Sequence, residues 1–239
     1  MATSQPSGTR RSSPTLGLFL ALMGAASFLY YHQGLFMPRV VAVRTAEGLG
    51  NGYSFGNDFY QVWLSAQELM RHRRDPYSEE MTREIQTGLY GRPLDPKRPG
   101  DPIDRRVFPY PAYMDLLFWP ATEFSFPVVR IFVTCLLGVL TAMGALFWLR
   151  ALNWRPDWRW LAAIIVLTLC SYPALEGLFA GQLGLLVAFL LAAAILMLRR
   201  GRVLLAGILT ALATIKPQVV ALPLLFLLIW NWYDWHTRG

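Results

Sequence analysis

The chain has 239 residues, of which 54% are hydrophobic and only 15% charged, with a formal net charge of +7. A soluble globular domain carries about 25% charged residues, so this composition excludes one and implies an integral membrane protein. The excess of Lys and Arg falls mostly between apolar segments. That is where loop charge orients a membrane protein, and no basic stripe with interleaved aromatics remains to bind nucleic acid.

Residues 1–14 are rich in Ser, Thr, Gly and Pro and carry Arg10 and Arg11, the pattern of a disordered cytoplasmic tail ahead of a membrane helix. Residues 15–37 predict the first transmembrane helix. Gly24-Ala25-Ala26 has the small residues of a signal-peptidase site, but the apolar run continues through Phe28 and Leu29 to interfacial Tyr30 and Tyr31, which favours an uncleaved span.

From residue 38 to 125 the composition turns polar, predicting a large extracytoplasmic loop with interfacial helices. Within it Phe59, Val62, Trp63, Ala66, Leu69 and Met70 recur at helical spacing opposite Gln61, Ser65 and Glu68, an amphipathic helix that Asp75-Pro76 ends. Residues 91–102 read as loop. The apolar run 112–119 is too short to span and is expected to dip into the interface.

Residues 126–239 predict a transmembrane bundle, with spans near 126–149, 160–178 and 183–198. The last apolar stretch, 203–232, is interrupted at Lys216-Pro217, and charge placement favours two short helices over one kinked helix. The expected fold class is therefore all-α, a polytopic transmembrane helical bundle. With the N-terminus inside, Arg150, Arg155, Arg159, Arg199, Arg200, Arg202 and Arg238 share one side. The large loop, the Gly181-Gln182 turn and Lys216 share the other.

Cys135 and Cys170 sit inside apolar runs and read as small buried hydrophobes. His32, His72 and His236 are scattered, and no HxxxH or CxxC spacing exists to hold a metal.

Several residues carry chemistry in this topology. Asp58 begins a helix, so it reads either as a cap on the free N–H groups or as a general base toward a hydroxyl. Lys216 is an ammonium in an apolar stretch, which costs roughly 2.5 to 3.5 kcal/mol at a helix centre unless it meets a cavity, an anion or the headgroups. Glu176 is a comparable carboxylate late in its span. Gln182, in a tight turn, can bond a sugar or phosphate or only satisfy the turn backbone. Arg105 and Arg106 suit paired recognition of a phosphate, with solvated loop arginines as the plainer alternative. All six fall on the outer side and together outline a site for a phosphate-bearing lipid.

The pattern resembles the C-type (GT-C) membrane glycosyltransferases, and most closely family 87, the polyprenol-phosphate-mannose-dependent mannosyltransferase-like group. The resemblance rests on Asn57-Asp58-Phe59-Tyr60, Asp75-Pro76-Tyr77, Phe108-Pro109-Tyr110-Pro111, Gly181-Gln182-Leu183-Gly184, and Ala206-Gly207 leading to Lys216-Pro217-Gln218. It implies a hexosyl or mannosyl transfer that inverts the anomeric centre, with a polyprenyl-phosphate sugar as donor and a glycan or glycolipid as acceptor, in the cell (inner) membrane. It also implies Asp58 as the base, Lys216, Arg105 and Arg106 on the donor phosphate, and Gln182, Glu176 and Tyr60 on substrate. No cofactor is required by these residues, although a divalent metal bridging Asp58 and a phosphate is compatible with them.

Ala112 stands where family members often have Pro, and Gly184 where they often have Asn. Members usually run to more helices, which implies an N-terminal fragment lacking part of the substrate pocket. Two other readings stay open: a transporter or flippase whose pathway Lys216 and Glu176 line, and an inactive truncated membrane fragment serving as a scaffold.

Overall fold

The computed structural model describes residues 13–49 and 55–238, with the side chains of 231 and 234–238 excepted. The expected N-terminal tail falls almost wholly outside the described residues, as does the side chain of His236. The described residues form helices, turns and loops without strands, as an all-α membrane protein requires. Two helices are long and apolar enough to cross a membrane, and a bent pair makes a third candidate.

The first of these runs from Pro14 to Ala46. It comprises α1 (Pro14–Leu29), a π-helical segment (Tyr30–Phe36) and α2 (Met37–Ala46). Its 33 residues reach about 50 Å at 1.5 Å per residue, so the helix extends well beyond the boundary expected at residue 37. Pro38 does not stop it. The Met37 N–H bonds the His32 carbonyl five residues back, and this wider turn accommodates the proline that would break an ordinary helix. Gly17 on α1 lies directly under the Trp160 indole, which closes the helix against α7 (Trp158–Leu169).

About half of the segment between the long helices is itself helical. It holds α3 (Asn57–His72), α4 (Glu79–Tyr90), α5 (Tyr113–Phe118) and a 3₁₀ turn (Trp119–Glu123). Helix α3 buries Phe59, Val62 and Ala66 as its apolar periodicity demands. Gln61 and Ser65, expected on a wet face, are buried too, because α5 packs over that face and Asp115 accepts a hydrogen bond from Ser65 at 3.2 Å. Helix α4 follows from a signal the loop reading passed over. Ser78 caps it by accepting from the Met81 N–H at 3.1 Å, and Met81, Ile85 and Leu89 recur every four residues and are buried.

The second long helix, α6 (Phe126–Ala151), is followed by α7 and α8 (Tyr172–Ala180), which bend by 56° where one span was expected. Ser171 and Pro173 start the second helix afresh, and the Ser171 hydroxyl donates to the Thr168 carbonyl at the break. Then come α9 (Gly184–Arg199), α10 (Val203–Ala213) and α11 (Pro217–Arg238). The last two are separate helices meeting at Lys216-Pro217, as charge placement favoured. Leu204, Leu222, Phe226 and Leu228 remain exposed, as expected of surfaces that face lipid.

Candidate active site

The start of α3 is fixed by glycine packing. Gly56 precedes it at φ 81°, and Gly181, in the turn between α8 and α9, adopts φ 70°. A Cβ on Gly181 would fall 2.9 Å from Phe59 Cβ and 3.6 Å from Gly56 Cα, so the two backbones touch only because both residues lack one. The Gly56 N–H also donates to the Phe179 carbonyl at 2.7 Å. The first turn of α3 is thereby held against the bundle.

Asp58 projects from that turn. Gly56 is the N-cap and no side chain caps this helix end, so the capping role does not apply. Instead Asp58 Oδ1 accepts from Arg106 Nη1 at 2.8 Å, with both side chains about one-fifth exposed. Arg106 has φ 53°, a left-handed conformation that non-glycine residues seldom hold and that turns its side chain inward. Its N–H bonds Asp104 Oδ1 at 3.0 Å, and its Nε donates to Tyr90 Oη at 3.1 Å. Burial works against the guanidinium's charge, yet Tyr90, Asp58 and Asp104 together raise its pKa above the usual value.

Lys216 completes the cluster from the other end of the sequence. It sits in the turn before α11, with Nζ 5.8 Å from the centre of the Tyr110 ring. Gly184 lies beside it, since a Cβ there would come 3.8 Å from Nζ. Burial lowers the Lys216 pKa and the Asp58 carboxylate partly restores it. Tyr110 is raised by burial first and by Asp58 second. Asp58, Arg106, Lys216, Tyr90 and Tyr110 thus share one electrostatic neighbourhood.

The other residues singled out by sequence stand at varied distances from this cluster. Gln182 is half-buried in the turn that carries Gly181, next to the start of α3. Arg105 turns away, donating from Nη2 to both Glu79 oxygens at 2.9 and 2.6 Å on the exposed end of α4. Tyr60 packs its ring on Phe126 and rests its hydroxyl over Gly88, tying α3 to α4 and α6. Glu176 accepts from His32 Nε2 at 2.8 Å. Gln33 Nε2 lies 3.0 Å from His32 Nδ1, and because an amide nitrogen only donates, the His32 proton resides on Nε2 and points at Glu176.

Sequence reasoning passed over Tyr90 and Asp115. Asp115 is fully buried against Ser65, and burial raises its pKa to about 6. A lone acid in the apolar run 112–119 was the available signal. Among the described residues no three of His, Cys, Asp and Glu come together. Asp58 already faces Arg106, so this donor set does not suit a divalent ion.

The model of glycosyltransferase family 87 matches residues 108–236, more than half of the sequence. The chain belongs to glycosyltransferase family 87. It is a membrane glycosyltransferase, and a sugar donor and an acceptor follow from the family. No curated protein and no solved structure matches it. The matched stretch of this family 87 chain contains Tyr110, Gln182, Gly184 and Lys216, while Asp58 and Arg106 lie before it.

Proposed function

We propose that this chain transfers a hexosyl residue, mannosyl in the closest family resemblance, from a polyprenyl-phosphate sugar to a hydroxyl of a glycan or glycolipid, with inversion at the anomeric carbon. The observation that carries the reading is the carboxylate of Asp58 paired with Arg106 at 2.8 Å, with Lys216, over the Tyr110 ring, within its electrostatic reach. A lipid-linked donor keeps its sugar–phosphate bond at the bilayer boundary, so a base and phosphate-binding cations are needed there together. The resemblance favours a multi-pass protein of the inner membrane, and the charge map favours residues 38–125 and this cluster outside, with Arg150, Arg199 and the N-terminus inside.

In the proposed step the acceptor oxygen attacks C1 of the donor sugar while the C1–O bond to phosphate breaks. Asp58 takes the hydroxyl proton, and the lipid phosphate departs with the bonding electron pair. Negative charge grows on that phosphate in the transition state, where Arg106 and Lys216 stabilise it. Phosphate binding draws Arg106 from Asp58 Oδ1, so donor entry itself exposes the carboxylate. Gln182, on the turn under α3, is assigned to the sugar or phosphate. Arg105 and Tyr60 support the site from its rim, the one through Glu79 and the other through α4 and α6. Glu176 acts indirectly by anchoring His32.

The test is sugar transfer from polyprenyl-phosphate donors by membranes containing the chain, with Asp58→Asn and Asp58→Glu in parallel. Loss of transfer in the Asn variant, with donor binding retained and an inverted product from the parent, supports the assignment. Equal turnover by Asp58→Asn would remove the base. Labelling of Ser78→Cys by an impermeant thiol reagent from the cytoplasmic side alone would overturn the orientation.

A further inference from the structure

The end of the bundle opposite Asp58 holds a cavity of about 700 Å³ between the ends of α6, α7 and α9. Helix α6 starts beside the α3 residues Tyr60 and Trp63 and runs 26 residues, so Arg150 in its last turn lies about 36 Å from that start. Arg150, Arg155, Arg199 and Arg200 line this cavity together with Asn153 and Trp154. Among the described residues no Asp or Glu lies within ion-pair distance of any of these four arginines, as is also true of Arg130, Arg159 and Arg202, so what sets the four apart is that they line one cavity. The nearest acid in sequence, Asp157, is committed to α7, accepting from the Arg159 N–H at 2.9 Å.

Arg150 and Arg199 occupy last helical turns, where a cation complements the free carbonyls. That accounts for two of the four. Arg155 lies in the loop between α6 and α7 and Arg200 is the C-cap of α9, so all four fall on the side that loop charge marks, and the fold gathers them around one cavity. Asn153, at φ 55°, makes the reversal that carries Trp154 and Arg155 back over the α6 end. The Trp154 N–H bonds the Leu149 carbonyl at 2.9 Å and fixes that return.

An apolar groove of about 350 Å³ adjoins the cavity, sharing Leu149 and Trp154 as walls. It runs toward the middle of the bundle past Gly144, Ala145, Ala188 and Phe189. A chamber lined by guanidinium groups with a hydrocarbon-lined groove on the other side of Leu149 and Trp154 matches a phospholipid in chemistry, a headgroup in the one and an acyl chain in the other. Free phosphate has no use for the groove, and a zwitterionic lipid has no use for four unpaired cations.

We infer that this end of the protein binds an anionic phospholipid, with its phosphodiester among Arg150, Arg155, Arg199 and Arg200 and an acyl chain along the α6, α7 and α9 groove. The site is separate from the Asp58 cluster and does not depend on the reaction assigned there. A bound lipid cross-links three helix ends, so it stabilises the bundle as well as the membrane contact.

The experiment is native mass spectrometry of the full chain in detergent, titrated with phosphatidylglycerol, with phosphatidylcholine of the same acyl chains, and with glycerol 3-phosphate. The parent should retain phosphatidylglycerol preferentially. Replacing Arg150, Arg199 and Arg200 together by Gln should weaken it by about a hundredfold, given the usual contribution of a basic residue at an anionic surface. Arg159→Gln is the control, since that guanidinium lies 5.1 Å over the Trp158 ring and outside the cavity. Ala145→Trp fills the groove without touching the arginines and should weaken phosphatidylglycerol while leaving any binding of glycerol 3-phosphate unchanged. Equal retention of the two phospholipids, or parent-like binding by the triple variant, overturns the site. Displacement of phosphatidylglycerol by an equal concentration of glycerol 3-phosphate overturns its lipid character. If the triple variant does not fold, the lipid comparison in the parent and Ala145→Trp still decide.

Discussion

Asp58 and Arg106 are 48 residues apart in sequence, yet Oδ1 of one and Nη1 of the other lie within 2.8 Å. The pair joins the first turn of α3 to a loop held in shape by Asp104, Tyr90 and a left-handed backbone at Arg106 itself. Two helices and a loop converge on one carboxylate, an arrangement with little value as a surface ion pair, where the gain is at most about 1 kcal/mol. Under the proposed function the pair keeps a proton acceptor and a phosphate ligand in register until a donor separates them.

Arg106→Gln should therefore lower kcat/KM for a polyprenyl-phosphate donor by about 10² to 10³, the usual effect of removing one donor to transition-state charge. Arg106→Lys keeps the charge but cannot serve Asp58 and Tyr90 at once, so it should recover only part of that loss. Steady-state kinetics of both variants in membranes give the answer. Parent-like kcat/KM in Arg106→Gln would remove Arg106 from the site.

Gly181→Ala tests whether the site depends on how closely α3 approaches the bundle. The left-handed backbone costs an alanine about 1 to 2 kcal/mol, and the new Cβ would meet Phe59 at 2.9 Å. Because Phe59 follows Asp58 directly, the expected outcome is a lower thermal midpoint together with a loss of transfer larger than the loss of folded protein. Gly91→Ala is the comparison, since its φ is 75° and nothing lies within 4 Å of its Cβ. If both variants lose activity in proportion to stability alone, the close packing has no special role at the site.

The His32–Glu176 bond attaches the long first helix to α8 by a buried polar contact. Glu176→Gln preserves an acceptor for the His32 Nε2 proton and should leave the thermal midpoint nearly unchanged. Glu176→Leu strands that proton in a fully buried position, at a cost of about 1 to 3 kcal/mol. Thermal unfolding of the two variants in one detergent checks the difference. Equal midpoints would mean that the bond carries no stability.

Legibility in the sequence followed the range of the interactions involved. Helix α3, the short apolar α5 and the break at Lys216-Pro217 were readable because each depends on local periodicity or on a proline. The passage of the first helix through Pro38 was not, since it rests on a five-residue hydrogen bond made upstream at His32. Helix α4 carried a Ser78 cap and a four-residue apolar repeat, a local signal outweighed by the polar setting. Arg105 and Arg106 are chemically identical neighbours. Only the backbone twist at Arg106 decides which one meets Asp58 and which one goes to Glu79. Glu176 and Asp115 were both readable as acids in apolar surroundings, but their partners, His32 and Ser65, lie 144 and 50 residues away.

Asp115 makes the folded state pH-sensitive in a direction opposite to that of a salt-bridged acid. It is buried between α3 and α5, its Oδ1 has no hydrogen-bond partner, and burial raises its pKa from 3.8 to about 6 against the smaller lowering by Ser65. Between those two values the folded chain holds a proton that the unfolded chain has released, so the part of the stability that depends on Asp115 is fully present below about pH 4 and is lost as the pH rises through about 6. A shift of that size corresponds to roughly 3 kcal/mol at neutral pH, an upper figure because the site relaxes when it charges. The neutral form also brings a hydroxyl donor to a region where Gln61 Oε1, one helical turn from Ser65, is likewise buried without a partner. Asp115→Asn keeps the shape and removes the titration. Its thermal midpoint should exceed the parent's at pH 8 and should not fall between pH 5 and 7, whereas the parent's does. Scanning calorimetry or dye-based unfolding across that range is the measurement, and a parent whose midpoint is flat from pH 5 to 7 would show that Asp115 stays in one protonation state throughout.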